Sequence, residues 1–528
     1  MLFRLTGILL IVISVGAVIA YHAELALPTL DWFFSFEAKE KALESASWWK
    51  KNQANIIGYI LCALIMVVGV LSLGAKSGKM NWNPQTVRKL KRFKSITRGY
   101  VSLWILAGLL LLTLLDHALV GKKALLVKYN GQIYSPAFEQ RSYTGEDFGQ
   151  VGKSEVDYRK LKEVFAEEGG ANWVLLPLVP FDATFDSAEP DEQELTMRDG
   201  AFYQKDEQKL YSGLGFRYYA DEVGTKQRHS MVRFRKGVRQ GREEFYSQGA
   251  GDVIGHYEWK DGVRSADPVK GADLVRAAEE EKTTELLAVR YPPLPPSMKT
   301  RHYLGTDSRG WDVLAQIYGG LQLVFQAAVI YLAVTYAIGI TLGSLMGYLG
   351  GAFDIVVQRF IEILANVPFL YVVIIIADRI GREDVTLVTI LLVLCIFSWI
   401  GITYYMRTAA YREKARDYVA AARVLGAGPV RVIFRHVLPN ALSIVVTLLP
   451  FSVVGVITAL TALDFIGFGL PDTYPSWGRI LQDGVTNLDY PWIVASVFGG
   501  MVSVLLLVTF VGEAIREAFD PKKFTTYR

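Results

Sequence analysis

The stretch Asp417-Tyr418-Val419-Ala420-Ala421-Ala422-Arg423-Val424-Leu425-Gly426-Ala427-Gly428-Pro429-Val430-Arg431-Val432-Ile433-Phe434-Arg435-His436-Val437-Leu438-Pro439-Asn440 decides how this chain is read. It predicts two short helices. The first, over about 412–425, shows a small-sided face at Ala420, Ala421 and Ala422. Gly426 and Gly428 permit the left-handed turn that ends a helix, and Pro429 suits the first position of the next one. The second helix carries Val432, Ile433 and Val437 at helical spacing, and Pro439 should break it. Apolar runs flank the segment on both sides. A basic helix-turn-helix tied at each end to a membrane span is a poor candidate for a nucleic-acid reader, so no nucleic-acid partner is expected.

The flanking runs are part of a pattern. Of 528 residues 51% are apolar and 20% charged, and the apolar ones gather into eight stretches long enough to cross about 30 Å of hydrocarbon. They lie at 3–22, 55–75, 99–119, 321–345, 360–377, 386–406, 440–462 and 492–512. The run 360–377 is the weakest, with Arg359 and Glu362 at its start and Pro368 inside. Lys and Arg asymmetry orients them. The loop 76–98 carries eight basic residues and no acidic one, and 407–439 carries seven basic residues against Glu413 and Asp417. Eight spans place both loops and both termini on the cytoplasmic side, and 120–320 outside. Residues 1–20 also fit a cleaved signal peptide, which would leave the downstream topology unchanged.

Four parts follow. Residues 1–75 read as a transmembrane hairpin, and 76–120 as a basic loop with the third span. Residues 121–300 read as an external, polar domain, and 301–528 as a five-span unit behind the stiff linker Pro292-Pro293-Leu294-Pro295-Pro296. Inside the external domain, short β-like runs end in turns at Gly237, Gly249 and Gly262, the pattern of a β-meander. The fold class expected is an all-α polytopic membrane protein with an external α+β or β-rich inserted domain.

Ala420-Ala421-Ala422, Gly426 and His436-Val437-Leu438-Pro439 stand at the spacing of the EAA loop, and this segment resembles the permeases of ABC importers. Ala420 replaces the usual Glu. The resemblance implies a type I importer fold in which 407–439 couples to an ATPase through Asp417, Ala420, Ala421, Ala422, Gly426, Arg435, His436, Leu438 and Pro439. Leu304-Gly305-Thr306-Asp307 with Gly310-Trp311-Asp312, and Pro475-Ser476-Trp477-Gly478, are similar to motifs of the dipeptide/oligopeptide branch. Asp464-Phe465-Ile466-Gly467-Phe468-Gly469-Leu470-Pro471 and Gly512-Glu513-Ala514-Ile515-Arg516-Glu517-Ala518-Phe519-Asp520-Pro521 resemble the Yej (microcin C-type) peptide permeases, C-type subunit. Gly305, Thr306, Asp307, Asp312, Asp464, Gly467, Gly469 and Pro471 are the motif residues this implies, as external gate or framework. The similarity spans roughly 90–188 and 297–528, leaving 1–75 and about 189–290 as additions to a six-span core.

The implied partners are a homologous B-type permease, ABC ATPase subunits, a periplasmic substrate-binding protein and membrane lipid of the bacterial inner membrane. No Gly-x-x-x-x-Gly-Lys-Ser/Thr loop occurs, so ATP and Mg would sit on the ATPase chains and this chain would hold no cofactor. Six scattered histidines and two cysteines, Cys62 and Cys395, give no metal-ligand spacing and no disulfide framework, and no catalytic residue set stands out. Alternating access is the implied mechanism, with Pro368, Pro450 and Gly455 as hinge positions. The competing classes are a membrane-anchored periplasmic sensor, which would need a cytoplasmic output domain, and a secondary transporter, which would need mid-span ionisable residues.

Overall fold

The structure, a computed structural model, describes residues 2–28, 30, 34, 48–74, 84–150, 154–198, 200–204, 210–219, 227–248, 251–280, 283–381 and 385–519. Lys76 and Lys79 of the basic loop 76–98, together with Gly249, Asp520 and Pro521, lie outside the described residues. The chain forms two compact units. One comprises Met1–Asp186, Ser297–Leu304 and Trp311–Arg528, and the other Ser187–Pro296 with Gly305–Gly310.

The first unit begins with two apolar helices, α1 (Leu2–His22) and α2 (Trp48–Gly74). They pack closely where Gly69 leaves no room for a side chain against Ile11, and Ser14 Oγ donates to the Cys62 carbonyl at 2.7 Å. The basic helix α3 (Pro84–Ser95) meets α4 (Thr97–Thr113) at a 91° bend. A small sheet of order β2-β1-β3 follows, from β1 (Leu126–Tyr129), β2 (Gln132–Tyr134) and β3 (Trp173–Leu175), with α5 (Tyr158–Glu168) on its face. Val127, Phe148, Leu161 and Phe165 fill its core.

The second unit holds one eight-stranded antiparallel sheet. Its strands are β4 (Asp191–Arg198), β5 (Ala201–Gln204), β6 (Gly213–Tyr218), β7 (Arg228–Arg235), β8 (Val238–Tyr246), β9 (Val253–Lys260), β10 (Val263–Arg264) and β11 (Leu287–Arg290), with helix α6 (Ala272–Glu279). The order is β10-β9-β8-β7-β6-β11-β4-β5. The meander part follows from turn chemistry. Lys236-Gly237 and Asp261-Gly262 are two-residue turns with both φ positive, the geometry that matches strand twist. The insertion of β11 between β6 and β4 is a long-range pairing that no local signal announces.

The remaining helices return to the first unit: α7 (Val313–Leu349), α8 (Gly351–Ala365), α9 (Phe369–Ile380), α10 (Leu387–Lys414), α11 (Asp417–Val424), α12 (Pro429–Val432), α13 (Leu438–Phe465), α14 (Trp477–Thr486) and α15 (Pro491–Phe519). Among the described residues four helices are long and apolar enough to cross a membrane, and six if each bent pair is one span. The two further runs of the eight expected are the shorter apolar helices Gly7–His22 and Gly58–Val67 in α1 and α2.

Two expectations, on the run 360–377 and on Pro439, are corrected. The run 360–377 is not one helix: α8 and α9 meet at 71° around Val367-Pro368, because Pro368 lacks an N–H and pushes the preceding residue out of helical geometry. Of residues 121–300, 121–186 group with the first unit and Ser187–Pro296 with the second. Pro439 breaks nothing. It lies in the first turn of α13, and a π-turn at Ile433–Val437 joins α12 to α13 without interruption. A proline there needs no intrahelical N–H bond, and the wider π-turn takes up its bulk.

Candidate functional site

The packing of α7 on α10 sets the frame. Gly339, Gly343 and Gly347 lie four residues apart, and an added Cβ at each would overlap Ile402, the Thr403 carbonyl and the Arg407 carbonyl respectively. Small residues at this spacing let two helix backbones approach in lipid, where packing rather than the hydrophobic effect drives association. The stripe is present in the sequence as Gly-x-x-x-Gly-x-x-x-Gly but is not among the motifs quoted above. Gly350 and Gly351 then turn the chain into α8 with φ of +68° and +60°. Asp354 on α8 takes both arms of Arg407, at 2.6 Å each. This bidentate pair ties the α7–α8 corner to the end of α10.

The loop between α10 and α13 is built on that corner. Its first helix is α11, shorter than the expected 412–425 because α10 itself continues to Lys414. Gly426 has φ +82°, whereas Gly428 is not left-handed. Val419, Val432, Ile433 and Val437 are buried together with Tyr348 of α7 and Ala410 of α10. Polar pins reinforce this inner face. Tyr418 donates to the nearly buried Glu413 carboxylate at 2.7 Å and accepts from Asn440 at 3.1 Å. Burial and that carboxylate push the Tyr418 phenol up to about 12, so it remains a neutral donor. Arg423 bonds the Tyr348 hydroxyl at 3.1 Å and lies over its ring.

The outer face is different. Val424 and Leu425 are 88% and 87% exposed, and Val430 and Phe434 are 67% and 57% exposed. Asp417, Ala420, Ala421 and Arg435 are also on the surface, while Ala422 is buried and His436 and Leu438 are half-buried. The motif residues of this segment are therefore brought to one place, with inner members holding the loop and outer members presented from it.

A second cluster sits at the other end of α7. Asp464, at the end of α13, accepts from the Leu470 N–H at 2.7 Å and from Ser476 Oγ. Gly467 takes φ +79°, and Gly469 sits where any Cβ would strike the Asp464 carboxylate. Arg479 donates to the Leu470 and Tyr474 carbonyls, and Trp477 Nε1 reaches the Ile317 carbonyl at 2.9 Å. The Pro471 carbonyl accepts from Tyr474. From Gly320, which abuts Trp477, to Tyr348 is 28 residues, or about 42 Å of helix.

The remaining motif does not form one site. Asp312 caps α7 by accepting from the Ala315 N–H at 2.7 Å, and holds His302 Nδ1 at 2.8 Å beneath the stacked Phe181 ring. Gly305, Thr306 and Asp307 belong to the second unit. There Thr306 exchanges two hydrogen bonds with Leu294, and Asp307 accepts from the Arg309 backbone and guanidinium. Among the described residues no group of three or more His, Cys, Asp or Glu could hold a metal ion.

The family model for the inner membrane component of binding-protein-dependent transport systems matches residues 339–525. That range starts on the glycine stripe and includes both clusters of the membrane core. The peptidoglycan transport system permease protein YejE of Agrobacterium fabrum is 30% identical over 451 residues, covering 84% of this chain and 95% of that protein. The inner membrane ABC transporter permease protein YejE of Escherichia coli K12 is 29% identical, covering 84% and 98%. The oligopeptide transport system permease protein OppC of Haemophilus influenzae is 31% identical over 230 residues, 43% of this chain and 72% of its own. A chain of the MetNI methionine ABC transporter in an inward-facing conformation aligns with 39% of this chain at 15% identity and a TM-score of 0.31, too low to carry an argument. The chain belongs to the binding-protein-dependent permeases of the inner membrane, in the branch that contains the YejE proteins, and is a multi-pass transport component.

Proposed function

We propose that this chain is one permease half of an ATP-driven importer of peptides or peptide-like compounds. Substrate arrives on a periplasmic binding protein and crosses between this subunit and a homologous B-type permease. The cytoplasmic loop 407–439 receives the stroke of an ABC ATPase, which carries the ATP and Mg. Both termini and the basic loops lie in the cytoplasm, and the second unit lies outside. The names of the relatives, peptidoglycan and oligopeptide permeases, support the substrate class.

The observation that carries this reading is the outer face of the loop. Exposed apolar side chains on the membrane helices face lipid. Val424, Leu425, Val430 and Phe434 instead lie on a stretch that also carries Arg416, Arg423, Arg431 and Arg435, ahead of the apolar span that starts at Ile444. Apolar groups presented in a basic, aqueous setting mark a protein contact. The double substitution Val424→Asp, Leu425→Asp should abolish co-purification with the ATPase and ATP-dependent uptake, with membrane insertion intact; retained co-purification refutes the docking assignment. Sidedness has its own test. Cysteine at Gln248 should react with an impermeant thiol reagent in cells with a permeabilised outer membrane, and cysteine at Ser95 should not; the reverse pattern inverts the topology.

A further inference from the structure

The first unit contains a cavity of about 740 Å³ that the transport reading does not use. Its size is that of a small-molecule site. Two stretches of chain build it. The segment after α1 adds to the polar segment after α4 as a short antiparallel strand: Ala26 N–H donates to the Phe138 carbonyl at 2.9 Å and Gln140 N–H to the Glu24 carbonyl at 3.0 Å. One wall is aromatic, with Tyr21 stacked on the buried Phe34 at 4.2 Å and 19°. Much of the rest carries charge of both signs, Lys122 and Lys123 with His22 and His117 against Glu24, Glu139 and Asp182.

We propose that this cavity binds a zwitterion, a small group bearing an ammonium and an acidic oxygen together. A site of one sign would collect a simple counterion. A wall carrying two lysines, two histidines and three carboxylates beside an aromatic plate matches a ligand whose own charges are separated. The charges are held rather than loose. Lys122 Nζ is 2.7 Å from Glu155, and Lys123 Nζ donates to the Glu139 and Arg141 carbonyls. Asp182 has its carboxyl raised by burial, against which Lys122 and His117 pull it down. An arriving ammonium would relieve that burial cost.

The cavity begins at His22, where α1 ends, and at His117, four residues beyond α4. A phosphoethanolamine headgroup at the membrane surface and a free dipeptide in solution offer the same chemistry at that level. None of the lining residues belongs to the 407–439 loop or the Asp464 cluster, so the proposal stands or falls separately from the coupling assignment.

The test uses the full-length chain in nanodiscs. Native mass spectrometry compares retained phosphatidylethanolamine with phosphatidylglycerol, and calorimetry in phosphatidylglycerol discs titrates glycylglycine against its N-acetylated amide. Two variants act by different physics. Asp182→Asn with Lys122→Gln removes charge. Gly121→Met adds bulk at a lining position where the atoms nearest a Cβ are those of His117, at 3.6 Å or more. Wild type should retain the lipid or bind glycylglycine, the former naming a headgroup and the latter a free solute. Both variants should weaken that binding roughly tenfold or more, as loss of a charge-assisted contact does. Binding of neither zwitterion to wild type, equal binding by all three proteins, or equal binding of the uncharged amide overturns the proposal.

Discussion

The two ends of α7 are finished in opposite ways. Around Asp464 the polar groups are buried and answered within the chain, by Ser476, Leu470 and the neighbouring Arg479, and glycines bring the backbone tight against them. Around Tyr348 the polar groups serve to hold a loop in place, and that loop turns Val424, Leu425, Val430 and Phe434 outward. A buried carboxylate with its donors in place is a structural clamp. An exposed apolar face on a basic loop is the kind of surface that a protein partner covers, as proposed above. One end is satisfied within this chain, and the other leaves apolar side chains exposed.

That contrast predicts a graded set of effects on stability. The largest belongs to Asp464→Ala, which strands the Leu470 N–H and the Ser476 hydroxyl in a buried loop, at a cost of about 2–5 kcal/mol. Thermal unfolding in detergent should show a clear drop in Tm, and a wild-type Tm would show that the clamp is ornamental. Next comes Gly343→Leu on the shared frame, where the new side chain meets the Thr403 carbonyl and Met406. Overpacking of about 1–3 kcal/mol is expected, read as a lower Tm and less folded protein in the membrane.

Gly426→Val should cost less, about 1–2 kcal/mol, because the position is open and only its left-handed backbone resists the substitution. Its effect on uptake should nevertheless exceed its effect on Tm, since α12 is aimed by that turn. Equal, small losses in both measurements would dissolve the distinction between the two ends. The smallest change in stability, within about 0.5 kcal/mol, is expected for the Val424→Asp, Leu425→Asp pair, whose effect is on partner binding. A large loss of Tm there would mean that the outer face packs on this chain after all.

Much of this was open to a sequence reading. Hydropathy located the long helices because lipid forces backbone groups to pair within a helix. The turn at Gly426 and the hairpins at Gly237 and Gly262 were visible because a positive φ selects glycine. The extent of α11 was not, since α10 and the loop helix share the same propensities between 412 and 417. Pro368 and Pro439 look alike in sequence. One bends a helix pair by 71° and the other begins a helix without a break. What separates them is whether the preceding turn is already helical, which packing decides.

The sequence by itself determined the family, the membrane runs and the position of the loop, because each rests on local composition or on a contiguous motif. Tertiary structure alone decided which residues are packed inside the chain and which stay exposed. Ala420, Ala421 and Ala422 are identical in sequence terms, yet two are exposed and one is buried. Asp354 and Arg407 are 53 positions apart and meet at 2.6 Å. β11 enters the sheet by pairing with residues 71 or more positions before it. These are pairings across distance, set by the energy of the whole fold, and no window of neighbouring residues carries their signal.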